Sequence, residues 1–237
     1  MKLISSVGML SIVSELASIY QIENRVTINV SYGSSAMILE RMESGETTDL
    51  VIIASPAIET LLKRGVLLPE SCVSLASTGI GLACKAGTNH PDISTVESFR
   101  HALVRAKSIA YTTAGVSGIY FAKLLCKLDL LDEVRAKSVT LPEGQIAGLL
   151  VNGSADLAVQ LTSELVGFPG VDYIGPLPQE LQLEMIFRAG IILGSTHSEV
   201  ALDFLQFMSQ SKLGSIYSKN GMKQVFNKVL LNQKVCK

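Results

Sequence analysis

Tryptophan is absent from the 237-residue chain, and aromatic residues make up only 5% of it. Whatever core forms is therefore aliphatic, with Leu, Ile, Val and Ala packed between a sheet and helices. Neither sign of charge dominates: Lys and Arg number 20, Asp and Glu 21, and no long run of like charge occurs. A globally basic nucleic-acid binder needs excess cations to displace counterions, so nucleic acid is not an expected partner. The three histidines, His90, His101 and His197, have no metal spacing with a cysteine, so no metal and no cofactor is expected. Cys72, Cys84, Cys126 and Cys236 form no C-x-x-C pair. Scattered thiols of this kind read as reduced core residues and favour a reducing compartment. No stretch approaches the roughly 20 apolar residues of a membrane span, which argues against membrane insertion. A G-x-S-x-G elbow, a Walker loop, G-x-G-x-x-G after a strand and H-E-x-x-H are all missing. Binding is thereby favoured over covalent catalysis, although proton transfer needs only one or two positioned groups.

What the chain does have is a regular alternation of strands and helices. Residues 3–6 read as a strand, and 9–21 as a helix burying Leu10, Val13, Leu16, Ala17 and Tyr20. Residues 26–30, Val-Thr-Ile-Asn-Val, alternate with period two and read as the second strand. Gly33-Ser34-Ser35 opens a helix that stops at Gly45, and Asp49–Ala54 is a continuous apolar strand of the doubly buried kind. A helix beginning around Pro56 and ending at Gly65 completes a doubly wound unit. Residues 78–85 read as one long strand, after which the pattern restarts. Helices are expected over 94–105, 118–128 and 143–152, and strands over 108–112, 138–141 and 156–160. Gly175-Pro176-Leu177-Pro178 reads as a stiff link, followed by a strand over 183–192 and helices over 197–210 and 211–219. The expected fold is α/β with two lobes, each a doubly wound mixed sheet flanked by helices. Lobe one comprises 1–78 and 178–237, lobe two 79–177, with crossings near 79–84 and 175–190.

In open α/β sheets, ligands lie beyond the carboxyl ends of the strands, where helix N-termini present N–H groups. Four turns at such positions carry Gly or Ser: 5–9, 33–35, 113–118 and 141–144. Gly lets a backbone approach closely, Ser adds donors, and the helix dipole favours a negative guest. The same residues also serve as ordinary helix caps, so each turn alone says little. Two turns per lobe on one sheet edge say more. Glu143 reads as a first-turn cap or a pocket residue, and Gln160 and Thr162 lie where the last strand of lobe two meets the cleft. Asp49 and Asp156 read as turn residues, Arg188 as the partner of a carboxylate or a cleft residue, and Lys85 and the histidines as solvated or structural.

The order of these loops resembles the type II solute-binding proteins of bacterial transporters, and within them the molybdate-binding family. The likeness is carried by Ile4-Ser5-Ser6-Val7-Gly8-Met9, Tyr32-Gly33-Ser34-Ser35-Ala36, residues 43–52, residues 115–122, residues 151–156 and Tyr217–Met222. That resemblance implies a periplasmic-binding-protein-like fold that closes on a small anionic ligand held by neutral donors. By position, the implied contacts are Gly8, Met9, Ser34 and Ser35 in lobe one, and Gly115, Ser117, Gly118, Glu143 and Gly144 in lobe two; Ser6, Gln160 and Thr162 join them as ligand-binding candidates from their place at strand ends. Gly8 and Leu161 stand where the molybdate binders place a serine and a tyrosine. Two lost donors cost a buried dianion roughly 1.5–3 kcal/mol each, which argues against molybdate. Residues 79–83, 91–95, 158–164 and 175–182 are similar to a divergent branch in which some members act as aconitate isomerases. On that branch Glu143 or Tyr111 would be the base.

Three functions are therefore in view: the substrate-binding component of an ABC-type transporter with its permease as partner, an isomerase on the same scaffold, and a cytosolic ligand sensor. The ligand is expected to be an organic carboxylate or an oxyanion, and the protein a monomer. A leader before Met1 would put it in the periplasm; as the chain stands, Met1-Lys2 runs directly into a core strand, and the cytoplasm is expected.

Overall fold

The computed structural model describes residues 1–225; Cys236 and the end of lobe one lie outside them. Two compact units divide the chain, one made of Met1–Ser77 with the chain from Met185 onward, the other of Thr78–Glu184.

In the first unit β1 (Lys2–Ser6) runs through a short 3-10 turn into α1 (Leu10–Asn24), then β2 (Asn29–Gly33), α2 (Ser35–Glu43), β3 (Leu50–Ala54), α3 (Ser55–Lys63) and β4 (Val73–Thr78). In the second, β5 (Ile80–Lys85) leads to α4 (Val96–Arg105), β6 (Ile109–Thr112), α5 (Val116–Lys127), α6 (Leu131–Arg135) and β7 (Ser138–Leu141). It continues through α7 (Ala147–Val151), β8 (Leu157–Leu161), α8 (Thr162–Leu165) and β9 (Val171–Pro176). The chain then rejoins the first unit with β10 (Met185–Ile191), α9 (Ser198–Met208), α10 (Gly214–Lys219) and β11 (Lys223–Gln224).

Each unit holds one mixed sheet. The first has the order β11-β4-β10-β3-β1-β2 and the second β7-β6-β8-β5-β9. Parallel pairing of β1 with β2 and β3 is followed by an antiparallel β10, and parallel pairing of β6 with β7 and β8 by an antiparallel β5. All five residues of β3 are buried, as expected for an apolar run with strands on both sides. Ile4, Ile38, Val51, Ile53, Ile58 and Leu61 form a core in the first unit. Tyr20 of α1 meets Phe204 and Phe207 of α9 at 5.1 and 5.3 Å. The second unit packs Ala83, Ala110, Ile146, Leu150, Ala158 and Leu165 together.

Three sequence expectations need correction. The alternation over 26–30 is real, with Ile28 buried between exposed neighbours, but pairing with β1 begins only at Asn29 and runs to Gly33. The apparent long strand over 78–85 is two strands in different sheets, β4 and β5, broken at Gly79. Gly175-Pro176 ends β9, an edge strand, where a missing N–H is tolerated; it is not a free link. The residues after it, up to Glu184, fall in the second unit. Gln182 explains the attachment. Its side-chain amide clasps Ile80 at both ends, accepting from Ile80 N at 2.8 Å and donating to Ile80 O at 2.9 Å.

Candidate functional site

Register fixes where the turns of the first unit lie. Ser6 pairs with Gly33, and Ser5 with Ile52, so the chain leaves β1, β2 and β3 at the same end of the sheet. Beyond β1 the residues wind at once into a 3-10 turn in which Gly8 and Met9 are buried. Met9 is fully buried, and its side chain belongs to the core. Ser34 caps α2, its Oγ accepting from Met37 N–H at 3.2 Å. Accepting uses a lone pair and leaves the hydroxyl hydrogen to be given. Ser35 Oγ accepts from Ala54 N–H at 3.1 Å, tying this turn to the end of β3.

The second unit is stitched more closely. Thr113 N–H donates to Leu141 O at 2.9 Å and Ala114 N–H to Pro142 O at 2.8 Å, so the turns after β6 and β7 lie side by side. Gly118 is required by packing: a Cβ there would stand 1.6 Å from Thr112 O, and one at Gly115 2.3 Å from Thr112 Oγ1. No other residue lets α5 start so close to its strand. Ser117 is buried in this first turn. Thr112 Oγ1, beside Gly115 and Gly118, is buried with no hydrogen-bond partner among the described residues. Gly144 takes φ +96°, and its carbonyl accepts from Gln160 Nε2 at 2.7 Å while Gln160 Oε1 accepts from Ile146 N–H at 3.2 Å. Both ends of the Gln160 amide thus engage the 144–146 turn. Thr162 is likewise engaged, its Oγ1 3.1 Å from the Tyr173 hydroxyl and its N–H donating to Gly79 O at 2.9 Å. Glu143 is half-buried on the same turn as Gly144.

Tyr111 is a core residue, 7% exposed, with its ring edge-on to Phe121 at 5.3 Å. Asp49 lies at the other end of its sheet from the turns. It accepts from Lys2 N–H at 2.7 Å, Ser195 Oγ at 2.7 Å and His197 Nδ1 at 3.2 Å. Burial opposes its charge, but these donors prevail and hold the carboxyl below its ordinary range. Asp156 accepts from Lys107 N–H at 2.9 Å, Arg188 pairs with Glu59, His90 with Asp172 and His101 with Glu97. Lys85 is exposed. Cys72, Cys84 and Cys126 are free thiols. Among the described residues no three His, Cys, Asp or Glu side chains gather as a metal site, and no helix is long and apolar enough to cross a membrane.

One residue of this region goes unnoticed in the sequence. Glu164, in the single turn of α8 just after β8, is 9% exposed. Burial pushes its carboxyl up to about 8, only partly offset by a hydrogen bond from the Leu161 backbone. The available signal was a carboxylate three residues past the end of an apolar strand, the spacing that reaches back to a backbone N–H.

Two mixed sheets of this strand order, each ending in small neutral turns, define the α/β architecture of a solute-binding protein. The chain belongs to the bacterial extracellular solute-binding proteins, whose sequence pattern matches residues 1–223. An aconitate isomerase of a Pseudomonas species is 28% identical over 228 residues, covering 94% of this chain and 87% of that protein. A candidate ABC transporter substrate-binding lipoprotein of Bacillus subtilis is 22% identical, covering 83% and 75%. The periplasmic molybdate-binding protein of Azotobacter vinelandii shares the fold, with TM-score 0.79, 20% identity, and 96% and 100% of the two chains covered.

Proposed function

We propose that the chain holds a small organic carboxylate through neutral donors at its strand-end turns, as the substrate-binding partner of an ABC-type permease. One observation carries this reading. In each unit the turns leave adjacent parallel strands at one sheet end, and within 5–9, 33–35, 113–118 and 141–144 the only charged residue is Glu143. Neutral N–H and O–H donors at helix starts stabilise an anion without the screening partner a Lys or Arg would bring. Ser6, Ser34 and Ser35, with the main chain at Gly8 and Met9, serve in the first unit. The 115–118 turn, Ser117 included, and the main chain at Glu143-Gly144 serve in the second. Gly8 and Leu161 lack the hydroxyls that the resemblance to molybdate binders calls for, which favours a carboxylate over molybdate.

A thermal-shift series with citrate, cis- and trans-aconitate, molybdate and sulfate tests this, because a ligand that binds only the folded chain raises its melting point. The carboxylates are expected to give the larger shifts. A larger shift with molybdate would overturn the choice of ligand.

A second reading is favoured by the relative at 28% identity: the same site moves an allylic proton and so shifts a double bond. Of the two base candidates, Tyr111 is packed in the core and Glu143 stands on a ligand turn, so Glu143 is the better placed. Loss of cis-aconitate absorbance on adding the protein would establish turnover. A stable signal with a positive thermal shift would leave binding alone.

A further inference from the structure

Glu164 has a place in this site that burial alone does not explain. Across the β5–β8 ladder Ile80 pairs with Leu161, and Thr162 N–H donates to Gly79 O. Consecutive N–H groups of a strand point to opposite sides. Leu161 N–H therefore faces away from β5, toward the side of β8 on which β6 runs. The Glu164 carboxyl meets it there. Extending the parallel register Ile109↔Leu157 and Ala110↔Ala158 puts Leu161 level with Thr113, where the 113–118 turn begins. The carboxyl thus stands at the ligand end of the sheet, between the end of β8 and the turn that opens α5.

We infer that Glu164, in its neutral form, donates a hydrogen bond to an oxygen of the bound carboxylate and makes binding depend on that proton. The inference rests on the carboxylate-binding reading above. One carboxyl oxygen accepts from Leu161 N–H, which leaves the O–H of the other to be given. A carboxylate guest is a strong acceptor for such a donor, whereas an ionised Glu164 would repel it. The strands packed on α8 are β5, β8 and β9. β8 has no ionisable side chain, and those of the other two are Cys84, Lys85, Asp172 and Tyr173. Cys84 pairs with Leu157 and with Asp172, so these two and Lys85 lie at the far end of the ladder. Tyr173 alone reaches α8, through Thr162, and burial raises its phenol above the ordinary range. The carboxyl, kept protonated to about 8 by burial, is then the group that titrates near the site in mildly alkaline solution.

Calorimetric titration with citrate tests this, at pH values above the last ionisation of citrate and up to 9.5. Affinity is expected to fall by up to about tenfold per pH unit once Glu164 ionises in the empty protein. In buffers of differing ionisation heat, binding at pH 9 should take up close to one proton. Glu164→Gln, which cannot ionise, should bind with affinity independent of pH over this range, and Tyr173→Phe should keep the wild-type slope. Wild-type affinity that stays flat with no proton taken up would overturn the inference while leaving carboxylate binding intact. So would a slope that survives in Glu164→Gln or vanishes in Tyr173→Phe. No citrate binding at any pH would remove the carboxylate reading and this inference with it.

Discussion

Moving the Glu164 carboxyl from water into the turn after β8 changes which protonation state the folded chain prefers. Its ordinary value is 4.5, and in the fold it keeps its proton to about 8. Between those values the folded state binds more protons than the unfolded one, so stability falls as pH rises through the window. Below it both states are protonated and nothing is lost. Asp49 has the opposite sign: its carboxyl is held below 3.8, and what it contributes is present at neutral pH and lost on acidification. The two effects separate cleanly by pH. Urea unfolding of Glu164→Gln and wild type at pH 5 and pH 7 should show a gap that widens by about 2–3 kcal/mol in favour of the variant, at roughly 1.4 kcal/mol per unit of separation. A gap that stays constant would mean the carboxyl ionises in the fold as it does in water.

Gln160 shows how an element can hold a turn that it does not belong to. β8 ends at Leu161, yet the Gln160 side chain reaches Gly144 and Ile146, which lie between β7 and α7. Gln160→Leu should keep the packing of β8 and strand one buried donor and one acceptor, costing about 2 kcal/mol or more. Amide exchange at 144–146 should accelerate, and carboxylate affinity should drop. Protection unchanged at those amides would show that the turn is held by other means. From sequence, Gln160 read equally well as a ligand contact, since a polar residue at a strand end signals a partner without saying which. Periodicity did reveal β1, β3, β6 and the helices α1 to α5, because their apolar spacing is set by the core they face. It failed for β4 and β9. Val73–Thr78 and Val171–Pro176 have polar or Pro-Gly interruptions, and their pairing is decided by strands distant in sequence. It failed again at Gly79, where a stretch from Val73 to Cys84 without Pro or charge hides a change of sheet. The strand-end turns were legible as turns because Ser and Gly there cap helices or let the backbone approach closely. Glu164 was not, because its burial comes from β5 and β9, which no local pattern discloses.

The two units differ in how the chain builds them. Thr78–Glu184 is continuous and contains a whole five-stranded sheet with its own apolar core. The other unit is split, and β10 from the returning chain must enter between β3 and β4 before its sheet is complete. Residues 78–184, expressed alone, should therefore fold, with dispersed amide resonances and a cooperative melt. The turns at 113–118 and 141–144 should keep their stitching, since both partners of each bond lie inside the fragment. Ligand binding should not survive in proportion. Ser6, Ser34 and Ser35 are absent from this fragment; if each gives the anion a charge-assisted bond worth roughly 1.5–3 kcal/mol, affinity should fall by two orders of magnitude or more. A fragment that folds and binds citrate as tightly as the full chain would place the whole site in the second unit. The serines of the first would then be helix caps and no more.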